Sequence, residues 1–319
     1  MGMQIPSSVT AELPSISKRS LVNPFAEVAP KEWWYAGCHD PESGTYFSFF
    51  FFRMPLLDAA RVSVFDPASG GVREFGWKGA FQAGEENGRL RIEIAEKGLG
   101  MVYRRVDDKN WHFTMKGRGW EVDLEIKQTL PAFERREDRR GVPSGIVHWL
   151  GNAVSGQVLT HGASYRYRAA RGYCDHSWGP VPRRVGWHWI AVQSQTMCLV
   201  SLVNTGTGAQ LYTQVLVRPV PCSVDEPRWT RLDPQAVFGE VPVGSPETTW
   251  TAVSTDLELE VRIRQGSGFR ERIPPLIPFL VNIDHQESFV SAKGRVRLDG
   301  IWHDTGEMFG VMEVHRGTW

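Results

Sequence analysis

The feature that most constrains this chain is a period of two. Trp120, Val122, Leu124 and Ile126 alternate with charged residues, as do Leu257, Leu259, Val261 and Ile263. Trp111, Phe113 and Met115 keep the same spacing, and Arg89 to Ile94 alternates basic or acidic with apolar. Successive side chains of an extended backbone point to opposite faces, so this pattern specifies strands with one buried face. Thr45 to Arg53 is apolar almost throughout and reads as a strand buried on both faces. Turn residues separate the runs, at Asp66 to Gly71 and at Gly117-Arg118-Gly119. No amphipathic helix longer than two or three turns is evident. The pattern predicts an all-β protein of sandwich or barrel type.

With 319 residues, two domains are expected. Residues 1–24, rich in Ser and Pro, read as an N-terminal arm, 25–183 as a first β domain and 184–319 as a second. The charged run Phe133 to Arg140 is read as an exposed loop and Asn204 to Gly208 as a hairpin loop. The Pro-rich piece Ile273 to Pro278 breaks any long element.

Charge and motifs exclude several classes of function. Thirty-six basic residues balance 36 acidic ones, which argues against nucleic acid or an anionic membrane as partner. Cys38, Cys174, Cys198 and Cys222 form no CxxC pair and read as reduced thiols of a cytoplasmic protein. Met1 to Val22 lacks the pattern of a signal peptide, and Tyr46 to Phe52 is too short to span a bilayer as a helix, so no stable membrane anchor is expected. No P-loop, dinucleotide fingerprint, metal-ligand pair or Gly-x-Ser-x-Gly elbow occurs, so neither a metal nor an organic cofactor is expected. Thirteen Trp and 16 Phe indicate large aromatic cores or an aromatic ligand pocket.

Chemistry-bearing residues concentrate in Gly172-Tyr173-Cys174-Asp175-His176-Ser177-Trp178-Gly179-Pro180 and in Gly186-Trp187-His188-Trp189 just after it. If the first stretch is extended, Cys174, His176 and Trp178 share one face and Tyr173, Asp175 and Ser177 the other. Trp187 and Trp189 then point one way and His188 the other. One face lines an aromatic pocket while the other holds the acid in a hydrogen-bonded layer. The bland alternative makes Asp175 a turn cap and the tryptophans core. A Cys174–His176 nucleophilic pair lacks an evident third group to orient it. The lone histidines His39, His112, His148 and His161 read as structural.

Glu32-Trp33-Trp34-Tyr35 near the start, the Gly172 to Gly179 motif, Trp187-His188-Trp189 and Gly306 to Val314 together resemble the carotenoid 1,2-hydratase/AttH-type lipocalin-like family. The resemblance spans roughly residues 28–316. The chain departs from the commonest pattern at Cys174. The resemblance implies two tandem lipocalin-like β domains with the ligand pocket in or between them. It implies long, apolar, polyunsaturated substrates, and it relates the chain to decalin-forming Diels–Alderases. The expected function is a cofactor-independent cyclase or isomerase of a polyene, polyketide or terpenoid in natural-product biosynthesis. The alternatives are a hydratase of an isoprenoid or carotenoid double bond, or a non-catalytic lipid or pigment binder. Asp175 and Glu32 are the acids set among aromatics, and His176 and Tyr35 are candidate partners in catalysis. Trp33, Trp34, Cys174, Trp178, Trp187 and Trp189 are candidates for the pocket wall. The expected partner is a hydrophobic small molecule, and the chain itself is a monomer or homodimer.

Overall fold

The computed structural model describes residues 28–54, 57–139, 142–182, 184–204, 210–217, 227–232, 237–238, 249–273 and 282–318. The N-terminal arm, the tip of the Asn204 to Gly208 hairpin, most of the Pro-rich piece and Cys222 lie outside them. The described residues contain strands and no helix. They begin with β1 (Val28–His39), β2 (Tyr46–Met54), β3 (Leu57–Asp66), β4 (Gly71–Gly79), β5 (Gln82–Glu86) and β6 (Arg89–Glu96). β7 (Leu99–Arg105), β8 (Asn110–Gly117), β9 (Trp120–Lys127), β10 (Phe133–Arg139), β11 (Val142–Thr160) and β12 (Ala163–Pro182) follow. The second half adds β13 (Arg184–Gln193), β14 (Met197–Asn204), β15 (Gln210–Val217), β16 (Trp229–Arg231) and β17 (Val237–Phe238). It closes with β18 (Thr249–Val253), β19 (Leu257–Ile273), β20 (Asn282–Leu298), β21 (Ile301–Asp304) and β22 (Met308–Thr318).

These strands make two antiparallel sheets. The first runs β4-β3-β2-β1-β12-β11-β9-β8-β7-β6-β5, with β10 added on β11. The second runs β16-β15-β14-β13-β22-β20-β19-β18-β17, with β21 added on β20. The chain passes from one sheet to the other between Pro182 and Arg184. The run read as an exposed loop, Phe133 to Arg140, is strand β10 through Arg139 and pairs with β11 in the register Phe133↔His148 to Arg139↔Val142. Its charges pair with each other along the strand, Arg135 with Glu137 and Arg136 with Glu134, so a strongly polar edge strand is stable beside β11.

The first sheet curls until its halves meet. Phe49 of β2 stacks on Phe113 of β8 at 3.9 Å, although the two strands sit on opposite sides of β1 and β12 in the sheet order. At the far ends, the Trp77 indole of β4 donates to Glu96 of β6 at 2.7 Å. The enclosed space is filled by Trp34, Phe47, Phe51, Ile92, Met101 and Tyr103, all buried. Each such side chain contributes about 1.5–3 kcal/mol relative to exposure. The volume that an open barrel would offer a ligand is therefore occupied by the protein's own rings. A second apolar core built on Ile190, Leu199, Val215, Leu259, Val290 and Met308 fills the second sheet. A third joins the sheets, with Tyr35, Leu150 and Tyr173 from the first against Trp189, Ala191, Val200 and Val311 from the second. Among the described residues no helix is long and apolar enough to cross a membrane.

Candidate functional site

The two Trp-rich motifs are neighbours because the whole of β1 pairs with β12 from Arg171 to Pro182, with Trp34 opposite His176 and Tyr35 opposite Asp175. Both strands are extended, so the motif residues divide between the faces of one sheet. Trp34 and Cys174 belong to the interior of the first sheet, whereas Tyr35 and Tyr173 belong to the layer between the sheets. The residues singled out from sequence therefore form two clusters, back to back.

On the interior face His176 Nε2 lies 3.0 Å from Glu32 Oε1. The Trp34 ring is stacked on the imidazole at 5.1 Å with 6° between planes, and Trp178 lies against it at 4.9 Å. Gly145, opposite Trp178, makes room for that indole, since a Cβ there would stand 2.5 Å from the ring. Cys174 is fully buried beside Asn152, whose amide donates to its Sγ at 3.4 Å, and burial pushes the thiol far up. His176 is taken by Glu32 and Cys174 is held protonated, which is not the geometry of a Cys–His nucleophile.

On the other face one row of side chains crosses five strands. His148, Asp175, Tyr35, Phe50 and Arg61 are successive cross-strand partners on β11, β12, β1, β2 and β3. Two rows of the second sheet contribute to the same layer. Trp189, Glu313 and Glu287 are partners on β13, β22 and β20, as are Trp187, His315 and His285. Tyr35 Oη donates to Glu287 Oε1 at 3.1 Å, and Ser48 Oγ donates to the same oxygen at 3.3 Å. Arg61 holds Glu287 Oε2 in a buried ion pair and lies over the Phe50 ring at 4.9 Å. The Trp187 indole donates to Glu313 Oε2 at 3.3 Å and stacks on His315 at 3.8 Å. Trp189 packs against Tyr173 at 5.2 Å and Tyr35 at 6.4 Å.

Asp175 is the acid of the first sheet in this layer. Tyr173 Oη donates to its Oδ2, and His148 Nδ1 lies 2.7 Å from the same hydroxyl. Its Oδ1 is buried with no hydrogen-bond partner of ordinary geometry. Burial raises Asp175 to about 7; the Tyr173 hydrogen bond and the Trp33 indole oppose that rise, and the charge of Glu287 adds to it. Glu313 keeps some exposure, yet desolvation, followed by the charges of Glu287 and Asp175, carries it to about 8. Burial holds His148 down to about 3, so its ring is neutral. Desolvation, reinforced by the charge of Glu287, thus holds two of the three carboxyls well above the usual carboxylate range, while Arg61 pairs with the third and Lys31 is buried on the same face of β1.

Of the candidates named from sequence, the structure brings Asp175, Tyr35, Trp187 and Trp189 into the layer between the sheets, with Trp33 beside Asp175, and places Glu32, His176, Trp34, Cys174 and Trp178 on the other face of the first sheet. Sequence reasoning missed Arg61, Glu287 and Glu313 and set His148 aside. Glu313 did carry a signal, being an acid inside the apolar alternation of Met308 to Val314. His285, Glu287 and Glu313 bring one ligand atom each within 4.8 Å of one another. Glu287 is already committed to Arg61, Tyr35 and Ser48, and Glu313 to Trp187, so these donors are arranged as an ion-paired hydrogen-bond layer. Beside this layer a narrow cleft with a cavity volume of about 20 Å³ is lined by Tyr35, Tyr173, His39, Arg171, Phe289 and Phe309, among others.

No family model matches the chain, and no curated protein matches its sequence. Solved structures do. An AttH-like protein of Nitrosomonas europaea is 14% identical with a TM-score of 0.60, over 90% of this chain and 92% of that one. Kievitone hydratase of Nectria haematococca is 10% identical with a TM-score of 0.58, over 90% and 89%. CghA, solved with Sch210972, is 10% identical with a TM-score of 0.56, over 92% and 89%. The AttH-like structure matches the resemblance carried by the Trp-rich motifs, and the chain has the two-sheet, lipocalin-like fold of the AttH type.

Proposed function

We propose that the protein is a cofactor-independent enzyme that protonates, or donates a hydrogen bond to, an unsaturated apolar substrate held between its two sheets. The observation that carries this reading is Asp175. It is a buried carboxyl raised to about 7, held by Tyr173 on one oxygen and stabilised as an anion by the Trp33 indole, and aromatic rings surround it. A general acid works best when its pKa lies near the ambient pH. A buried acid whose pKa is displaced this far marks a candidate site. The filled interior of the first sheet directs the substrate to the layer between the sheets, where the cleft reaches Tyr35 and Tyr173.

The reaction we favour is an intramolecular cyclisation or isomerisation. Asp175 gives its proton to a carbon of one double bond, a second double bond supplies the electron pair that closes the ring, and loss of a neighbouring proton to the Asp175 carboxylate restores the enzyme. Tyr35 and Trp189 line the site, and their ring faces stabilise the developing cation. Glu313, protonated at neutral pH, keeps a further negative charge out of the layer. Hydration is the second reading, favoured by the fold shared with a kievitone hydratase: the same protonation is followed by capture of the cation by water.

The test is turnover of a panel of prenylated phenols, polyene acids and acyclic carotenoids in D₂O and in ¹⁸O-water. Deuterium fixed on carbon without ¹⁸O marks cyclisation by protonation, and both labels mark hydration. Asp175→Asn is expected to lower the rate on the order of a hundredfold or more while melting near the parent. Normal turnover in that variant, or product free of deuterium, overturns the proton-donor reading.

A further inference from the structure

Gly37 stands between Tyr35 and His39 on β1, and all three line the cleft. A Cβ at Gly37 would stand 3.2 Å from Tyr35 Oη, so the glycine lets the phenol lie along the strand toward His39. His39 is 6% exposed, and neither of its ring nitrogens has a hydrogen-bond partner among the described residues. Its ring plane is fixed all the same: Phe309 is stacked on it at 4.1 Å and Tyr46 lies against it at 4.4 Å. Gln193 lines the same cleft from the second sheet. Its Oε1 accepts from the Gly151 amide at 2.7 Å, and its Nε2 has no partner among the described residues.

Buried polar groups are nearly always hydrogen-bonded, to protein or to ordered water. A cavity of about 20 Å³ takes one water molecule, which needs roughly two to four polar partners. The cleft offers them. Burial, with the charge of Arg264 adding and that of Asp40 opposing, holds His39 down to about 4, so the ring is neutral and has one donor and one acceptor. Gln193 Nε2 is a donor, and Tyr35 Oη, which donates to Glu287, still has a lone pair with which to accept.

We propose that the cleft is a water site, in which His39 is the positioning residue that holds a water beside Tyr35 for the cation formed when Asp175 protonates the substrate. The inference rests on that protonation and deepens the hydration reading. After Asp175 has given its proton to one carbon of the double bond, the water oxygen bonds to the other carbon. The proton that this oxygen sheds goes to the Asp175 carboxylate. One C–H and one C–O bond form, one C–C π bond is lost, and the acid is restored. Ring closure and water capture are then competing fates of one cation, and the cleft sets the share that goes to water.

The experiment has two arms. A high-resolution crystal structure of the full chain without substrate reads the site directly, for the parent and for His39→Phe, which keeps the stacked ring and removes both nitrogens. The expected result is an ordered water bonded to His39 in the parent and lost in the variant; a parent cleft without that water overturns the site. The second arm measures the ratio of ¹⁸O-labelled alcohol to cyclised or isomerised product. That ratio compares two fates of one cation, so a general loss of activity does not move it. His39→Phe is expected to lower it on the order of tenfold, and Gly37→Ala, which fills the cleft beside Tyr35 Oη, to lower it as well. His39→Gln, which puts a donor and an acceptor back, should recover part of it. An unchanged ratio in His39→Phe and Gly37→Ala, or no ¹⁸O in any product, overturns the role of the water and leaves Asp175 as the donor. Product free of deuterium after turnover in D₂O overturns the proton-donor reading and this inference with it.

Discussion

Asp175 and His176 are adjacent in sequence and belong to opposite environments. His176 faces the filled interior of the first sheet, where one acid, Glu32, meets it at 3.0 Å between two indoles. Asp175 faces the layer between the sheets, where Arg61 pairs with Glu287 while Asp175 and Glu313 are held by the neutral donors Tyr173 and Trp187. In the first cluster the acid meets a base; in the second two buried acids meet neutral partners. The difference teaches that density of titratable groups in sequence does not mark a site. Burial of an acid without a paired cation does, because desolvation then carries its pKa toward neutral pH.

The largest expected effect leaves a third acid without its cation. Arg61→Met removes the guanidinium paired with Glu287 and leaves that carboxylate buried without its partner. It should cost about 3–5 kcal/mol of stability, read by chemical denaturation, and a loss below about 1 kcal/mol would contradict the ion pair's role. Glu32→Gln should cost less, about 1–3 kcal/mol, and should leave turnover within a few-fold of the parent. Loss of turnover with an unchanged melting temperature would move the site to the interior face.

The third expectation is a pH dependence whose sign follows from the layer between the sheets. Asp175 and Glu313 are raised to about 7 and about 8, so the stability of their neutral forms is present at low pH and is lost as pH rises through those values. His39, His148, His285 and His315 are lowered to about 4, 3, 3 and 2, so their contribution is present above their unfolded pKa and is lost as pH falls below it. Below about 6.5 four histidines outweigh two acids; above it the acids act alone. Stability should peak near pH 6.5 and fall by on the order of 1–2 kcal/mol by pH 8. Glu313→Gln should flatten that alkaline limb. The smallest effect is expected far from both clusters: removing the exposed Arg295–Glu258 pair by Glu258→Gln should leave the denaturation midpoint at that of the parent.

Much of this was legible in sequence, for a definite reason. Period-two patterning assigns a face without knowledge of the partner strand, so the division of Tyr173 to Trp178 and the common face of Trp187 and Trp189 could be read directly. Register cannot be read that way. Arg61, His148, Glu287 and Glu313 come from strands far apart in the chain, and only the pairing of β3, β11, β20 and β22 with their neighbours brings them together. Glu32 and Asp175 were grouped because both sit among aromatics, and no local signal says that a sheet lies between them. The β10 strand was missed because its charges satisfy one another along the strand, where sequence reading takes charge for solvent.

The account stands most directly on the ionisation of one carboxyl. Side-chain ¹³C NMR of aspartate-labelled protein, with Asp175 assigned through Asp175→Asn, gives its midpoint. The account predicts about 7, far above an ordinary aspartate, and a lower midpoint in Glu287→Gln, where a neighbouring negative charge is gone. A midpoint at or below about 4 would show an ordinary ion-paired anchor and would contradict Asp175 as the proton donor.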